Sequence, residues 1–396
     1  MLDILWLILI LTSISLGINV SKKINYKNYK IKNLTKKINF DNLSLALGSK
    51  MGVGAIVGTS MALYIGGPST VIWMIIFTLL TSSIVYAESF LGSKYKQKKN
   101  NKYVSGPYYI AKFGLKKNTL SIVVLISFVI TYSIFFLLLQ SNIVSNTLEV
   151  NKKILLIITI ILVTLLITND TSEIRKTLNR VMPVITLFIL SLLLISFIKN
   201  INYLPQIIKL ILKDLFNIKS ILISLIIGIK RSIFLNELLI GTTSMSSGIN
   251  DESKETTANT LVIASYFLVF VISTLISIFL LTYKLKTNEN ILSYFALLKN
   301  AFIFHYGNIG NYLLNLIITL LSSSATISGI YIGTSNVEYL TNNKKLINLT
   351  KIIISLSIFT GIFINTSIVW NIIDIMMLVL ITLNSYIIYK LINKLE

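Results

Sequence analysis

Apolar residues fall along this chain in runs long enough to cross a bilayer, separated by short stretches rich in Lys, Asn, Gly and Pro. A spanning helix needs about 20 mostly apolar residues. Such runs predict eleven spans, at 2–20, 41–66, 68–93, 119–148, 154–169, 178–198, 220–247, 257–282, 308–340, 347–365 and 368–392. The pattern is that of an all-α polytopic membrane protein. The first run carries Asp3 ahead of its hydrophobic stretch and lacks both a basic leading segment and a small-residue cleavage site, so it reads as a retained helix rather than a signal peptide.

Two of the runs are interrupted. Leu45 to Pro68 reads LALGSKMGVGAIVGTSMALYIGGP, with glycines at 48, 52, 54 and 58. Each Gly inside a helix costs roughly 1 kcal/mol relative to Ala. The run from Ser220 to Gly248 contains IFLNELLIGTTSMSSG, where Asn236, Glu237, Gly241, two Thr and three Ser break the apolar pattern. With residues 1–20 taken as an accessory helix, the other ten spans divide into halves of five, 41–198 and 220–396. Odd-numbered halves invert each other's topology, and the interrupted runs become the first helix of each half.

Interruptions at matched positions of two halves are the best sequence pointer to a secondary-transporter binding site. Unwound backbone in mid-membrane survives only where it lines a cavity or is buried in protein, because lipid cannot satisfy its N–H and C=O groups. The free N–H groups of a half-helix suit a carboxylate, and free carbonyls with hydroxyls suit a small cation or an ammonium. The pairs Gly48, Gly52 and Gly54, Gly58 also have the small-xxx-small spacing of close helix packing. Either helix alone is open to that reading; a second break with a polar Asn-Glu at the matched position favours a site.

Composition agrees with membrane residence: 54% of residues are hydrophobic, 13% are charged, and mean hydropathy is +0.79. The net charge of +21 would suggest nucleic acid in a soluble chain, but here the basic residues lie between spans and set orientation. Lys22 to Lys37 and Lys94 to Lys117 fall on one side, and that side holds 24 Lys and Arg against nine on the other. The bias predicts an outside N-terminus and a cytoplasmic C-terminus in a plasma membrane. The loop with Asp251, Glu252 and Glu255 dissents. Richness in Ile, Lys and Asn suggests a bacterial source.

No cysteine is present, which excludes disulfides and thiolate chemistry, and the single histidine, His305, reads as an ordinary loop residue. No phosphate-binding loop or facing carboxylate pair is recognisable, so an enzyme is not expected. Nothing points to nucleic acid, a cofactor or an obligate protein partner. Intramembrane carboxylates are functional candidates by default. Glu237 reads as a hydrogen-bonding group of the site, Asp374 as a packing contact, Glu88 as structural, and the direct pairing of Arg231 with Glu237 is not guaranteed by their spacing. Lys50 reads as a snorkelling residue, or as a fixed charge near a cation site.

At the first break the chain resembles the alanine or glycine:cation symporter family. The resemblance rests on MGVGAIVGTSMALYIGGPSTVIWM, then YAES, then YVSGPYYI from Tyr103 to Ile110, in that order and spacing. Weaker matches are LLLQSNIVSN with Gln140 and Asn142, IRKTLNRVMP, NYLPQIIKLILKDLF, RSIFLNE, NVEYL, and Asp374 with Asn384 in the last helix. The resemblance implies a leucine-transporter-like five-plus-five inverted repeat with one extra N-terminal helix. It also implies uptake of a small neutral amino acid, alanine or glycine, with sodium or protons as the coupling ion. By position, it places Gly52, Gly54, Ala55, Gln140, Asn236, Glu237, Gly241 and Thr242 around the substrate, and Gly48, Met51 and Ser324 around a cation.

This chain departs from the family pattern at the site. Ala55 stands where the family has Asn, which removes a side-chain oxygen. Leu238 and Leu239 replace small residues after Asn236-Glu237, so the pocket is expected to be tighter or reshaped. Ala325 stands where a hydroxyl is expected next to Ser324, with Thr326 one residue away. These departures fit a changed substrate or coupling, and also a transport-inactive sensor or scaffold.

Overall fold

The computed structural model describes residues 2–24, 51–99, 102–148, 171–247, 253–287, 292–341 and 343–395. The predicted span 154–169 and the start of 41–66, with Gly48 and Lys50, lie outside the described residues.

The chain is a polytopic all-α protein. Helix α1 covers Leu2–Lys23; a wide π-helical turn at Gly54–Gly58 leads into α2, Thr59–Gly66; and α3 covers Thr70–Lys94. A small hairpin, β1 Gln97–Lys99 with β2 Lys102–Val104, leads to a helical turn at Pro107–Tyr109 that continues as a π segment, Ile110–Gly114. Then come α4, Asn118–Ile130, and α5, Leu137–Thr147, joined without a break by a π segment at Thr131–Phe136. Next are α6, Thr171–Lys199, α7, Leu204–Leu215, α8, Ile221–Asn236, and a short α9, Thr242–Ser247. Helices α10, Lys254–Tyr266, and α11, Thr274–Thr287, are again fused by a π segment, Phe267–Ser273. The chain finishes with α12, Tyr294–Tyr306, α13, Ile309–Leu340, α14, Lys344–Gly361, and α15, Thr366–Lys390.

Six of these units are long and apolar enough to cross a membrane among the described residues: α1, α3, the fused α4–α5, the fused α10–α11, α13 and α15. Being apolar on all sides, they have one face for lipid and another for protein, and their backbone polar groups are satisfied internally. Polar N-caps set several starts. Ser253, Ser293, Asn343 and Asn365 accept from backbone N–H groups of the first turns of α10, α12, α14 and α15.

Two helices stand outside the eleven predicted spans. Helix α7 bends 68° away from the end of α6, and Asp214 in its last turn accepts from the Ser69 N–H at 2.9 Å and the Ser69 hydroxyl at 2.7 Å. Helix α12, at 13 residues, is too short to cross. It carries His305, which is therefore not a loop residue. Its Nδ1 lies 3.0 Å from the Ser196 hydroxyl and its Nε2 2.9 Å from the Phe279 carbonyl. The predicted seventh span, 220–247, is divided into α8 and α9.

Helix α3 is the central post, packed on α1, α8, α9 and α10. Gly92 lets α9 approach so closely that a Cβ there would meet the Ser244 backbone. Helix α1 runs alongside α3, with Asp3 beside Lys230 and Gly17 against Leu80.

Basic residues gather at one end. Lys94 donates to the Lys394 carbonyl at 2.6 Å; Lys94 and Lys254 both reach the Phe90 ring; Lys117 and Lys390 share Tyr386; and Lys112 lies over Tyr339. Lys394 shares this end with Lys94, and Asp3 lies near the other.

Candidate functional site

The break between α8 and α9 is built by backbone conformation. Helix α8 stops at Asn236; Glu237 and Leu239 turn left-handed with φ of 50° and 60°; Gly241 has φ of 108°; and α9 restarts at Thr242. Left-handed L-residues each cost about 1–2 kcal/mol, so the surroundings must hold them. Thr242 donates its hydroxyl to Glu237 Oε2 at 2.7 Å, and Asn384 of α15 donates Nδ2 to the Leu239 carbonyl at 3.0 Å. A carbonyl released from the helical ladder has thus found a protein donor. The side chains of Leu238 and Leu239 are buried.

The other interrupted run is described from Met51 onward, and Met51 is fully buried. Irregular backbone at 51–53 passes into the Gly54–Gly58 π turn, where Ala55 N–H donates to the Gly52 carbonyl at 3.1 Å and Thr59 donates to the Ala55 carbonyl at 2.6 Å.

The two breaks meet. The Phe234 ring, on the last turn of α8, occupies the place beside Gly54, 2.6 Å from where a Cβ would stand. Gly58 faces the Arg231 side chain, and Gly52 faces the Ala325 methyl on α13. Ser324 is buried next to it. Two residues away, Ser322 donates to the Gln140 carbonyl at 3.1 Å, which ties α5 to the same stretch of α13. The Gln140 amide oxygen is buried and without a hydrogen-bond partner.

Other predicted residues are engaged elsewhere. The Asn236 amide donates to Thr78 on α3 at 3.1 Å, and Asn142 donates to the Gly361 and Ile364 carbonyls at 2.9 and 2.7 Å, fastening α5 to the end of α14. Glu88 is fully buried, and with Glu237 it acts electrostatically on Tyr132, whose ring stands beside Thr242.

Two π segments converge here. Thr131–Phe136 supplies Tyr132, and Phe267–Ser273 packs against the Gly54–Gly58 turn, which is itself π-helical. Such segments mark functional sites because they carry an extra residue and loosened hydrogen bonds.

Above the breaks, toward the Asp214 end, the site is roofed. Arg231 on α8 donates to Asp374 on α15 and lies over the Trp370 ring, with Cζ 4.4 Å from the centroid. Phe234 meets the same ring edge to face at 5.5 Å, and Trp370 Nε1 donates to the Tyr294 hydroxyl at 3.0 Å. The neighbouring Lys230 turns outward to Asp3 at 2.9 Å, with its Nζ 5.3 Å from the Trp6 centroid. Phe234, Trp370, Tyr294 and Tyr132 were not among the candidates. The signal that reaches one of them is charge arithmetic: a span bearing Arg231 needs a carboxylate, and Asp374, one turn from Trp370, supplies it.

A chain of apolar helices around two facing breaks defines a multi-pass transporter. Residues 9–395 match the sodium:alanine symporter family, and the chain belongs to that family. It is similar to a probable sodium/glutamine symporter of Bacillus subtilis, 26% identical over 89% of this chain and 76% of that protein. It is also similar to an amino-acid carrier protein of Bacillus subtilis, 23% identical over 88% of this chain and 77% of that protein. A sodium/proton-dependent alanine carrier protein of a Bacillus species is 25% identical over 51% of this chain and 47% of its own length. Family membership makes the protein an amino acid and cation symporter rather than an enzyme.

Proposed function

We propose that the protein imports a small neutral amino acid, alanine or glycine, with sodium or protons by alternating access. The observation that carries this reading is the contact between the breaks, where Phe234 of the second half covers Gly54 of the first. A ligand between them would take up backbone groups from both halves at once, so its binding would report on both. In this reading Gly52, Gly54, Ala55, Gln140, Glu237, Gly241 and Thr242 face the amino acid, Asn236 braces its wall through Thr78, and Gly48, Met51 and Ser324 serve the cation. The eleven-span arrangement, with halves 41–198 and 220–396, an outside N-terminus and a cytoplasmic C-terminus, belongs to the same proposal.

The names of the relatives support an amino acid cargo but differ on which one, glutamine or alanine. Buried Leu238 and Leu239 favour the smaller. Purified protein in liposomes, tested with labelled alanine, glycine and glutamine under separate sodium and proton gradients, decides the matter. Accumulation of alanine or glycine that collapses with the gradient is expected. Binding without accumulation would instead support a sensor, the reading that Ala55 favours by presenting no oxygen at the site.

A further inference from the structure

At the basic end, a groove of about 390 Å³ opens between the β1–β2 hairpin, the Ile110–Gly114 turn, the start of α4 and the end of α13. Its walls have two chemistries. Lys98 and Lys112 supply ammonium groups, and both side chains are exposed. The salt bridges Lys230–Asp3 and Arg231–Asp374 involve neither lysine. Tyr109 and Tyr339 meet edge to face at 4.7 Å, and Lys112 Nζ sits 5.5 Å from the Tyr339 centroid and 5.7 Å from that of Phe113. The fourth side is apolar. Ile122 in the groove begins an exposed stripe that continues along α4 through Val123, Ile126 and Ile130.

A stripe of exposed branched residues on a span faces hydrocarbon, and Tyr rings with Lys at its end mark the headgroup level. The groove therefore lies where the two zones meet, within a charged end that attracts anions. We infer that it binds the phosphodiester headgroup of an anionic phospholipid, with Lys98 and Lys112 on the phosphate and an acyl chain along Ile122, Ile126 and Ile130. Basic pockets beside spans suit such headgroups because the lysines meet the phosphate at the interface while the chains stay in lipid. A free phosphate would satisfy the lysines but leave the stripe unused. Lysine is a point charge and not a bidentate fork, so charge rather than headgroup shape sets the preference.

Native mass spectrometry of the full-length protein in detergent, titrated with phosphatidylglycerol or with phosphatidylcholine of the same chains, tests this. One phosphatidylglycerol is expected to be held at least about tenfold more tightly than phosphatidylcholine, the scale of two juxtamembrane lysines. K98Q/K112Q should remove that preference; K98R/K112R should keep it; K345Q, at an exposed lysine on another helix, should leave it unchanged. Thermal unfolding of each variant confirms that it is folded, and K112Q alone should show an intermediate preference. Equal retention of the two lipids by the native protein would overturn the inference, as would full phosphatidylglycerol preference in folded K98Q/K112Q. Displacement of the lipid by millimolar inorganic phosphate would assign the groove to a soluble anion and overturn it too.

Discussion

Arg231 donates Nη2 to both carboxylate oxygens of Asp374, at 3.1 and 3.2 Å, between two helices 143 residues apart in sequence. Both side chains are largely withdrawn from solvent, at 2% and 12% exposure, and the guanidinium rests on Trp370. Removing one partner of a buried pair leaves the other charge uncompensated, at a cost of about 3–5 kcal/mol. Asp374→Asn should therefore lower the melting temperature sharply and reduce uptake. The double change Arg231→Met with Asp374→Leu should recover much of the stability, because apolar replacement of both partners is often neutral. Uptake should stay low in the double variant if the pair closes the roof over the substrate. A wild-type melting temperature in Asp374→Asn would count against the pair.

Two glycines separate backbone strain from steric cost. Gly241 has φ of 108°, and a side chain there would run into Pro107 and Phe128; Gly307 has φ of 63° and open space around it. With ψ of −149° Gly307 sits in a region that is essentially Gly-only, so Gly307→Ala should cost about 1–3 kcal/mol from backbone strain alone. Gly241→Ala should abolish uptake and cut the yield of folded protein. Similar melting temperatures for the two variants would show that the α8–α9 turn is more plastic than its geometry indicates.

Gly54 lies in helical backbone, so Ala there carries no strain and gains in helix propensity. What it meets is the Phe234 ring at 2.6 Å. Gly54→Ala should leave the protein folded and lower uptake by displacing the ring from the junction of the breaks. Phe234→Leu in the same chain should restore part of it. Uptake by Gly54→Ala equal to that of the native protein would mean that the contact does not govern transport.

Ala55 is buried on the same turn. Ala55→Asn restores the oxygen that the resembling family has at this position, and sodium dependence of uptake should strengthen. Unchanged ion dependence would show that the position does not set coupling.

His305 is held below its usual pKa, first by burial and then by Lys286, against the opposing bond to the Phe279 carbonyl. A depressed folded-state pKa means that the unfolded chain binds the proton more readily, so this contribution is complete above about pH 6.5 and is lost as pH falls below it. The melting temperature should hold between pH 8 and 7 and decline toward pH 5. His305→Gln should flatten that decline, and an unaltered slope would remove His305 from the account.

The spans were legible because lipid imposes length and apolarity on every helix that crosses it, and α1, α3, α13 and α15 lie close to their predicted limits. The α8–α9 break was legible too, since Asn236, Glu237 and Gly241 are costly inside an apolar run. Helices α7 and α12 were missed because neither is long enough to register as a span. The roof was missed for a different reason: Phe234, Trp370 and Tyr294 are ordinary apolar or interfacial residues in one dimension, and only the fold brings them onto Gly54 and Arg231. Asp374 reads as a packing residue in one dimension because Arg231 lies 143 residues away and only the fold sets the two side by side.

The Thr131–Phe136 segment has a consequence for α5. A π segment holds one residue more than an α-helical ladder, and each residue advances a helix by about 100°. The Gln140 carbonyl meets Ser322, and the Asn142 side chain meets Gly361, only because that extra residue has already rotated everything after it. Deleting any one of those six residues would leave a straighter helix, shorter by about 1.5 Å, with its polar side chains aimed at the wrong neighbours. The phase of this wall is thus stored upstream of the residues that use it.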